Sequence, residues 1–387
     1  ELEQAKDRYF PSIDFSADTG REWTRDDATG ADPVSAAVWR YQAGITLTQL
    51  LFDGFNTSYE IARQKARVES NSYRVWETSE FLGLDVVEAY LNILRQRELL
   101  DLAQQNVARH QEIENQIKDS TTAGRTTEAD LQQADARLSS ARANESSVRE
   151  SLRTSEASFI NKGGGQVPAL MERPIAPKSA LRETAEEEVK QALLGSPTLA
   201  SREADIKTAQ AEWKQSQSSF YPQVNFEAGV NRSNDISGSE DNINRASGLV
   251  TMNWNLYRGG ADMSRSREGI YRMAQAKETR ADTARAVEED VRKTWAQMVA
   301  ASERANEFAA QSAANEKVAA AYFDQFNLDR RTLLDVLDAQ NEYFVARSNE
   351  LNAQYVDLFA TYRLLALKGQ LLANLNVGKP IGSDPNN

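Results

Sequence analysis

The chain has 387 residues, a formal net charge of −12 and no cysteine, and 26% of its residues are charged. The lack of cysteine, with His110 as the single histidine, excludes disulfides, thiol nucleophiles and Cys/His zinc sites. The acidic balance argues against nucleic acid as a partner, because nucleic-acid binding requires clustered Lys and Arg. We therefore predict a chain that is not an enzyme and that holds no metal or cofactor. His110 lies in a polar stretch, for which the sequence predicts a surface position.

The first segments of the chain predict the end of a helix followed by two strands. Residues 1–11 read as the last turns of a helix whose earlier turns were removed, so we expect this first helix to be truncated. Residues 10–20 and 41–51 then alternate apolar and polar side chains, and a period of two predicts strands with unlike faces. The apolar members of this alternation are Ile13, Phe15, Ala17, Ala43, Ile45 and Leu47.

A long helical hairpin is predicted over residues 56–160. The stretch from Thr57 to Asp119 contains no proline and a single glycine, and its apolar residues recur at steps of three and four. A turn follows in TTAGRTTEAD, residues 121–130, and a returning helix extends to about residue 160.

The rest of the chain repeats this plan after a linker. Residues 161–182 are rich in glycine and proline and form the predicted linker. Two helices are expected over 183–219, with Ser196 as the N-cap and Pro197 as the first residue of the second helix. Strands are expected at 220–231 and 247–257, a long hairpin at 261–375 and a tail at 376–387. The apolar residues predicted on these strands are Phe226, Val250, Met252 and Trp254.

A fixed offset relates the two halves of the chain. The run Leu51-Phe52-Asp53-Gly54 recurs as Leu256-Tyr257-Arg258-Gly259, and 256 − 51 = 205. The same offset maps Leu82, Val86, Tyr90 and Ile93 onto Val287, Val291, Trp295 and Met298. An ungapped match over so long a stretch predicts two copies of one structural unit, residues 1–160 and 183–375.

The lengths of the predicted strands raise the question whether they span a membrane as part of a β-barrel. Strands of about ten residues are long enough to cross a bilayer when tilted, but four of them cannot close a barrel. Open strand edges are not tolerated in lipid, so a membrane barrel would need strands from further copies, and a trimer would supply twelve. The alternative from periodicity alone is a soluble sheet attached to a coiled-coil rod.

Several spaced motifs resemble the TolC family of outer-membrane channel-tunnels. These are RYFPSIDF and SFYPQVNF before the odd strands, LFDG and LYRGG after the even strands, and FNLDRRTLLDVLDAQNEYFVARSNEL in the second hairpin. The last motif is similar to the type I secretion branch of that family. The resemblance implies a mixed α and β homotrimer, whose twelve-stranded outer-membrane β-barrel continues into a long periplasmic α-helical barrel in a Gram-negative bacterium.

The resemblance also implies partners and a function. It predicts the exit duct of a type I secretion system, which exports proteins together with a periplasmic adaptor and an inner-membrane ABC transporter, in contact with outer-membrane lipid. One alternative is the outer-membrane component of a drug or metal efflux pump, which shares this architecture. An alternative of another class is a soluble periplasmic coiled-coil adaptor.

A gate is implied at the periplasmic end of the second hairpin. Asp335 and Asp338 are three residues apart and share a helix face, which by spacing alone is typical of a solvated acidic surface. In the family, acidic residues at the matching positions line the narrow entrance. The resemblance further implies that Arg331 links neighbouring hairpins and that Asp130 is an acidic partner, while Phe326 replaces a frequent tyrosine.

The resemblance gives two further sets of residues. The hairpin turns are the implied docking surface for the adaptor, and this set contains Gly124, Arg125, Leu328, Asp329 and Arg330. Gly54 and Gly259 lie where each copy passes from barrel to tunnel, and we expect them to relieve backbone crowding there.

Overall fold

The computed structural model describes residues 1–23, 37–163, 165–235, 242–328 and 330–384. Its elements in chain order are α1 (Leu2–Asp7), β1 (Ser12–Trp23), β2 (Ala37–Phe52), α2 (Asn56–Thr122), α3 (Glu128–Gly163), α4 (Ala185–Gly195), α5 (Pro197–Ser216), β3 (Gln223–Asn234), β4 (Asn242–Asn253), α6 (Ala261–Asn327), α7 (Leu333–Leu367) and α8 (Leu371–Asn374). The structure is therefore mostly helical with two strands in each half, which confirms the predicted mixture of long helices and short strands.

The element bounds confirm the internal repeat. Helices α2 and α6 both contain 67 residues, and they start at 56 and 261 and end at 122 and 327, a difference of 205 in each case. Helices α3 and α7 start at 128 and 333, which is the same difference. The two copies therefore fold alike from the second strand to the returning helix.

The four strands form one antiparallel sheet in the order β1-β2-β3-β4. Ser12 pairs with Thr48 at one end of the first hairpin and Trp23 pairs with Ala37 at the other. Strands β2 and β3, one from each copy, pair over the stretch from Tyr41↔Asn234 to Phe52↔Val224. The sheet therefore joins the two copies along its centre, and β1 and β4 are its two edges.

The limits of all four strands differ by one to five residues from the predicted 10–20, 41–51, 220–231 and 247–257. Strand β2 begins at Ala37 rather than near residue 41, because β1 continues to Trp23 and supplies it with partners. Strand β4 ends at Asn253, so Trp254, predicted on the strand, lies just beyond it. The physical reason is Pro222, which has no backbone N–H to donate and directly precedes the partner strand β3. The Trp254 indole N–H instead donates to the Phe220 carbonyl at 3.2 Å.

The chain divides into two compact units that do not coincide with the two repeats. The first contains residues 1–72, 200–282 and 384–387, and the second contains residues 73–199 and 283–383. Each unit thus contains parts of both copies. The sheet belongs to the first unit, and both hairpin turns belong to the second.

The second unit has its core along both sides of α7. One cluster places α7 against α2 and is formed by Leu84, Leu91, Leu94, Tyr355, Leu358, Tyr362, Leu365, Ala366 and Leu371. Another places α7 against α6, α4 and α5 and is formed by Val189, Ala192, Leu199, Val287, Val291, Met298, Ala360, Leu364 and Leu367. The apolar stripe predicted from the three- and four-residue steps is thus the helix-packing seam.

The linker is attached to this core by a buried ion pair. The Lys368 ammonium lies 3.2 Å from a Glu188 carboxylate oxygen and also donates to the Ala180 carbonyl at 3.1 Å. Glu188 in turn accepts the backbone N–H of Arg182. Both charged side chains are fully buried, so removing either one would leave an unpaired charge in the core.

Candidate functional site

The turn between α2 and α3 is closed by reciprocal hydrogen bonds. The Thr127 backbone N–H donates to the Asp130 carboxylate at 3.0 Å, and the Asp130 backbone N–H donates to the Thr127 hydroxyl at 3.2 Å. The backbone N–H and the hydroxyl of Thr127 hold the pKa of Asp130 below its ordinary value, because both donate to its ionised form. Asp130 is therefore a helix-capping residue within its own chain.

The turn between α6 and α7 repeats this cap. The Thr332 backbone N–H donates to the Asp335 carboxylate at 3.2 Å, and the Asp335 backbone N–H donates to the Thr332 hydroxyl at 3.3 Å. The Thr332 hydroxyl and backbone N–H hold the pKa of Asp335 below its ordinary value. Since 335 − 130 = 205, the two caps occupy equivalent positions of the repeat.

Arg331 contacts three side chains of its own hairpin. Its guanidinium lies over the Tyr322 ring at 4.0 Å from the centroid, and its Nε donates to the Gln325 amide oxygen at 3.0 Å. It also lies 3.9 Å from the Asp335 carboxylate. These contacts hold Arg331 against the end of α6. Its predicted link to a neighbouring hairpin stays a prediction.

Asp338 pairs with a residue that the sequence analysis missed. The Arg137 guanidinium of α3 donates to the Asp338 carboxylate of α7 at 3.1 Å. Both side chains are about half exposed, so the pair joins the two hairpins at the surface of the second unit. The partners are 201 residues apart, and no local motif could have identified Arg137. The role of Asp338 as an entrance residue stays a prediction.

Phe326 lies in the apolar cluster beneath the two turns. Ile113, Ile117, Ala134, Leu333, Val336 and Leu337 form its buried part, and Leu131, Tyr322, Phe323 and Phe326 pack against it. These residues come from α2, α3, α6 and α7, so the two hairpins share one core near their turns. Phe326 is thus partly buried against this core through its ring.

The residues predicted to dock an adaptor lie at the outside of the turns. Gly124 and Arg125 are exposed, and Gly124 has φ = +74°, a conformation that favours glycine. In the second turn Leu328 is 66% exposed and Arg330 is exposed. Asp329 lies outside the described residues. An exposed leucine beside exposed arginines is compatible with protein docking, which stays a prediction.

The predicted surface position of His110 is wrong. Only 5% of His110 is exposed, and its Nδ1 is buried without a hydrogen-bond partner among the described residues. The residue lies on the stripe that continues three and seven positions later with the buried Ile113 and Ile117. Burial, with a smaller contribution from the nearby Arg137 charge, holds the pKa of His110 below its ordinary value.

Gly54 and Gly259, at the predicted passages from barrel to tunnel, have the same backbone conformation but different surroundings. Gly54 has φ = +66° and Gly259 has φ = +62°, again at equivalent positions of the repeat. A Cβ at Gly54 would lie 2.6 Å from the Ser218 carbonyl oxygen, whereas a Cβ at Gly259 would meet nothing within 4 Å. Crowding is thus present at Gly54 only. At Gly259 the left-handed backbone alone favours glycine.

The sheet has one apolar and one polar face. Phe226 pairs with Val250 and Val224 pairs with Met252, so these four side chains lie on the same face. The paired residues Ile13 and Leu47 lie on that face too. The opposite face has Asp18, Glu22 and Arg40, where Arg40 binds Asp18 at 2.6 Å and Glu22 at 3.2 Å. A sheet with these two faces can separate lipid from an aqueous lumen.

The described part of the chain has neither a membrane-spanning helix nor a metal-binding cluster. None of its helices is long and apolar enough to cross a membrane. Among the same residues, no cluster of three or more acidic or histidine side chains could hold a metal ion.

Comparison with known proteins identifies the family. The family model described as "outer membrane efflux protein" matches residues 1–162 and 189–370. The efflux protein BepC of Brucella suis is 25% identical over 380 residues, which cover 96% of this chain and 79% of the relative. TolC of Salmonella enteritidis is 24% identical over 412 residues, which cover 99% of this chain and 80% of the relative.

A solved structure shares the fold. The CmeC outer membrane channel of Campylobacter jejuni superposes with a TM-score of 0.80 at 12% identity, over 99% of this chain and 83% of that chain. The predicted resemblance to the TolC family and the predicted location in the outer membrane are thereby confirmed. The chain belongs to the outer membrane efflux protein family.

Proposed function

We propose that three copies of this chain form a passive exit duct through the outer membrane. The observation that carries this proposal is the four-stranded sheet, whose β1 and β4 edges are unpaired among the described strands and whose one face is apolar. In lipid such edges require partners, and pairing the β1 edge of one copy with the β4 edge of the next would close twelve strands into a barrel. The polar face would then line the lumen.

The experiment that tests the proposed duct measures the mass of the assembly and its ion conductance. Full-length protein in mild detergent should appear as a trimer by native mass spectrometry, and the same sample should form ion-conducting pores in planar bilayers. A stable, detergent-free monomer with its strands intact would contradict the barrel. The match to the outer membrane efflux family favours the duct over the soluble coiled-coil adaptor.

We infer that the exported cargo is protein, handed over by an inner-membrane ABC transporter and a periplasmic adaptor. The support is the FNLDRRTLLDVLDAQ motif, which resembles the type I secretion branch and whose described residues form the second turn. The adaptor would dock on the turns through Gly124, Arg125, Leu328 and Arg330, which are exposed. Charge reversal at Arg125 and Arg330 should abolish cross-linking to the adaptor, while reversal of Arg149, exposed farther along α3, should leave it unchanged.

Efflux is the second candidate, since the matched family and the relative BepC are both described as efflux proteins. A strain in which the gene for this chain is deleted distinguishes secretion from efflux. Loss of proteins from the culture medium at unchanged drug susceptibility would support secretion. Increased drug susceptibility with an unchanged set of secreted proteins would support efflux.

We further propose that Asp335, Asp338 and Arg331 control the periplasmic entrance. One partly exposed and one exposed carboxylate per chain, repeated around a threefold axis, would attract cations. Arg331→Ser should raise conductance, because it removes the contacts with Tyr322 and Gln325 that hold this side chain against α6. Unchanged conductance in this variant would remove Arg331 from the gate.

A further inference from the structure

On the apolar face of the sheet, paired residues form rows that run across three or all four strands. Consecutive rows contain apolar side chains almost throughout. From the loop side towards the helices, these rows are Phe15, Ile45, Val230 and Ala246; then Ile13, Leu47, Ala228 and Gly248; then Gln49, Phe226 and Val250; then Phe52, Val224 and Met252. Four rows on one face span roughly the height of the apolar band of an outer-membrane barrel.

The composition of this face changes at the next row towards the loops. That row contains Ala17, Ala43, Arg232 and Asn244. Beyond it, Tyr41 pairs with Thr19 and Asn234, and Trp39 pairs with Arg21. Aromatic residues at this position are typical of the membrane interface. Arg232 therefore lies at the boundary between the apolar band and the outer interface.

Arg232 stands at the end of a shallow groove on the same face. A groove of about 410 Å³ has Arg232 and Asn244 in its lining, together with Ile45, Val230 and Ala246. A second groove of about 470 Å³ shares these three apolar residues and continues to Leu47 and Ala228. The combined groove thus has a polar, cationic end and an apolar body.

Two arginines of the sheet differ in their partners. Arg40, on the polar face, is paired with Asp18 and Glu22. Arg232, on the apolar face, is exposed and forms no ion pair with any residue in the described part of the chain. A guanidinium held at a lipid interface without a carboxylate is suited to bind a phosphate group, because its planar donors can contact two phosphate oxygens.

We propose that this groove binds a phosphorylated lipid of the outer leaflet, with Arg232 and Asn244 donating to the phosphate and an acyl chain along Ile45, Val230 and Ala246. The site rests on the proposed barrel, because only a barrel exposes this face to lipid. Strand pairing between protomers would use the backbone edges of β1 and β4, so the sheet face that carries the groove on β2, β3 and β4 stays open. A trimer would carry three such sites.

The test uses full-length trimer in detergent and diphosphoryl lipid A as the probe. Native mass spectrometry should show up to three bound lipid molecules in the wild type. Arg232→Gln should weaken binding about tenfold or more, since it removes a charge-assisted contact to phosphate. The matched control is Arg40→Gln, which removes the same charge from the polar face, outside the lining of both grooves, and should bind like the wild type.

Three results would overturn the lipid site. These are unchanged binding by Arg232→Gln, an equal loss in Arg40→Gln, and wild-type binding of dephosphorylated lipid A as tight as that of the diphosphoryl form. Conductance of the same samples in planar bilayers separates this proposal from the duct. A wild type that neither trimerises nor conducts overturns the duct, whereas a conducting trimer with unchanged Arg232→Gln binding overturns the lipid site alone.

Discussion

The two hairpin turns have the same backbone plan but differ in the side chains around it. Thr127 with Asp130 and Thr332 with Asp335 make the same reciprocal cap at an offset of 205 residues. In the first turn, the hydroxyls of Thr121 and Thr126 are 2.8 Å apart. In the second turn, the equivalent residues are Phe326, which packs in the shared core, and Arg331, which lies on Tyr322.

This difference distinguishes the residues that build both turns from the residues that are candidates for a function in the second turn. What both turns share, the threonine–aspartate cap, is required to start a helix after a tight turn. Three features occur only in the second turn. They are Arg331, Asp338 in place of Gln133, and the exposed Leu328 in place of Ala123. The docking proposal therefore concerns Leu328, and the entrance proposal concerns Arg331 and Asp338 together with Asp335, which also caps its helix as Asp130 does.

The largest expected effect comes from the core beneath the second turn. Leu337 is 1% exposed, whereas its repeat equivalent Gln132 is exposed. Leu337→Ala should destabilise the packed turns by about 2–5 kcal/mol, because it leaves a cavity among Ile113, Ile117 and Val336. Hydrogen exchange of the first turns of α7 should accelerate accordingly. Gln132→Ala is the matched control, and an equal acceleration there would contradict the asymmetry.

The next effect is a pH dependence from His110. Its pKa is lowered in the folded state, so below about pH 6.5 the unfolded chain binds a proton that the folded chain does not. Stability should therefore fall as the pH falls, by up to about 1.4 kcal/mol per pH unit from this group alone. Denaturation midpoints of wild type and His110→Gln should diverge between pH 7.5 and 5.5. Parallel midpoints would show that His110 is not a buried neutral group.

A smaller and equal effect is expected at the two caps. Thr127→Ala and Thr332→Ala should each destabilise the following helix start by about 1 kcal/mol, since each leaves backbone N–H groups of the first turn unsatisfied. Local hydrogen exchange at residues 128–131 and 333–336 measures this. Serine variants at the same positions retain the hydroxyl and should stay close to wild type. A large inequality between the two threonines would refute the equivalence of the caps.

The smallest effect on stability is expected at the ion pair between Arg137 and Asp338, which joins the two hairpins. Arg137→Gln should cost about 0–1 kcal/mol, because the ion pair with Asp338 is half exposed and screened by solvent. Exchange rates of the turns should hardly change. In bilayer recordings, however, the variant should increase cation selectivity by releasing the Asp338 carboxylate. Reduced selectivity would show that Asp338 does not face the permeating ions.

The sequence predicts the features that depend on local pattern or on the repeat. The long helices, the two strands per copy, the turns and the common offset all follow from spacing and from the distribution of proline and glycine. The end of β4 was missed because it depends on Pro222, which directly precedes the partner strand β3. The Arg137–Asp338 and Lys368–Glu188 pairs were missed because their partners are 201 and 180 residues apart. His110 was missed because its neighbours in sequence are polar, although it continues the buried stripe of Ile113 and Ile117.

The most direct test of the entrance is ion selectivity in planar bilayers. Asp335→Asn with Asp338→Asn removes both carboxylates of the second turn, and an asparagine at 335 can still accept the Thr332 hydrogen bonds. The wild-type trimer should be cation-selective, the double variant should lose most of this selectivity, and the matched Asp130→Asn control should retain it. Unchanged selectivity in the double variant, with trimer and conductance intact, would show that these carboxylates form only a solvated surface and that the entrance lies elsewhere.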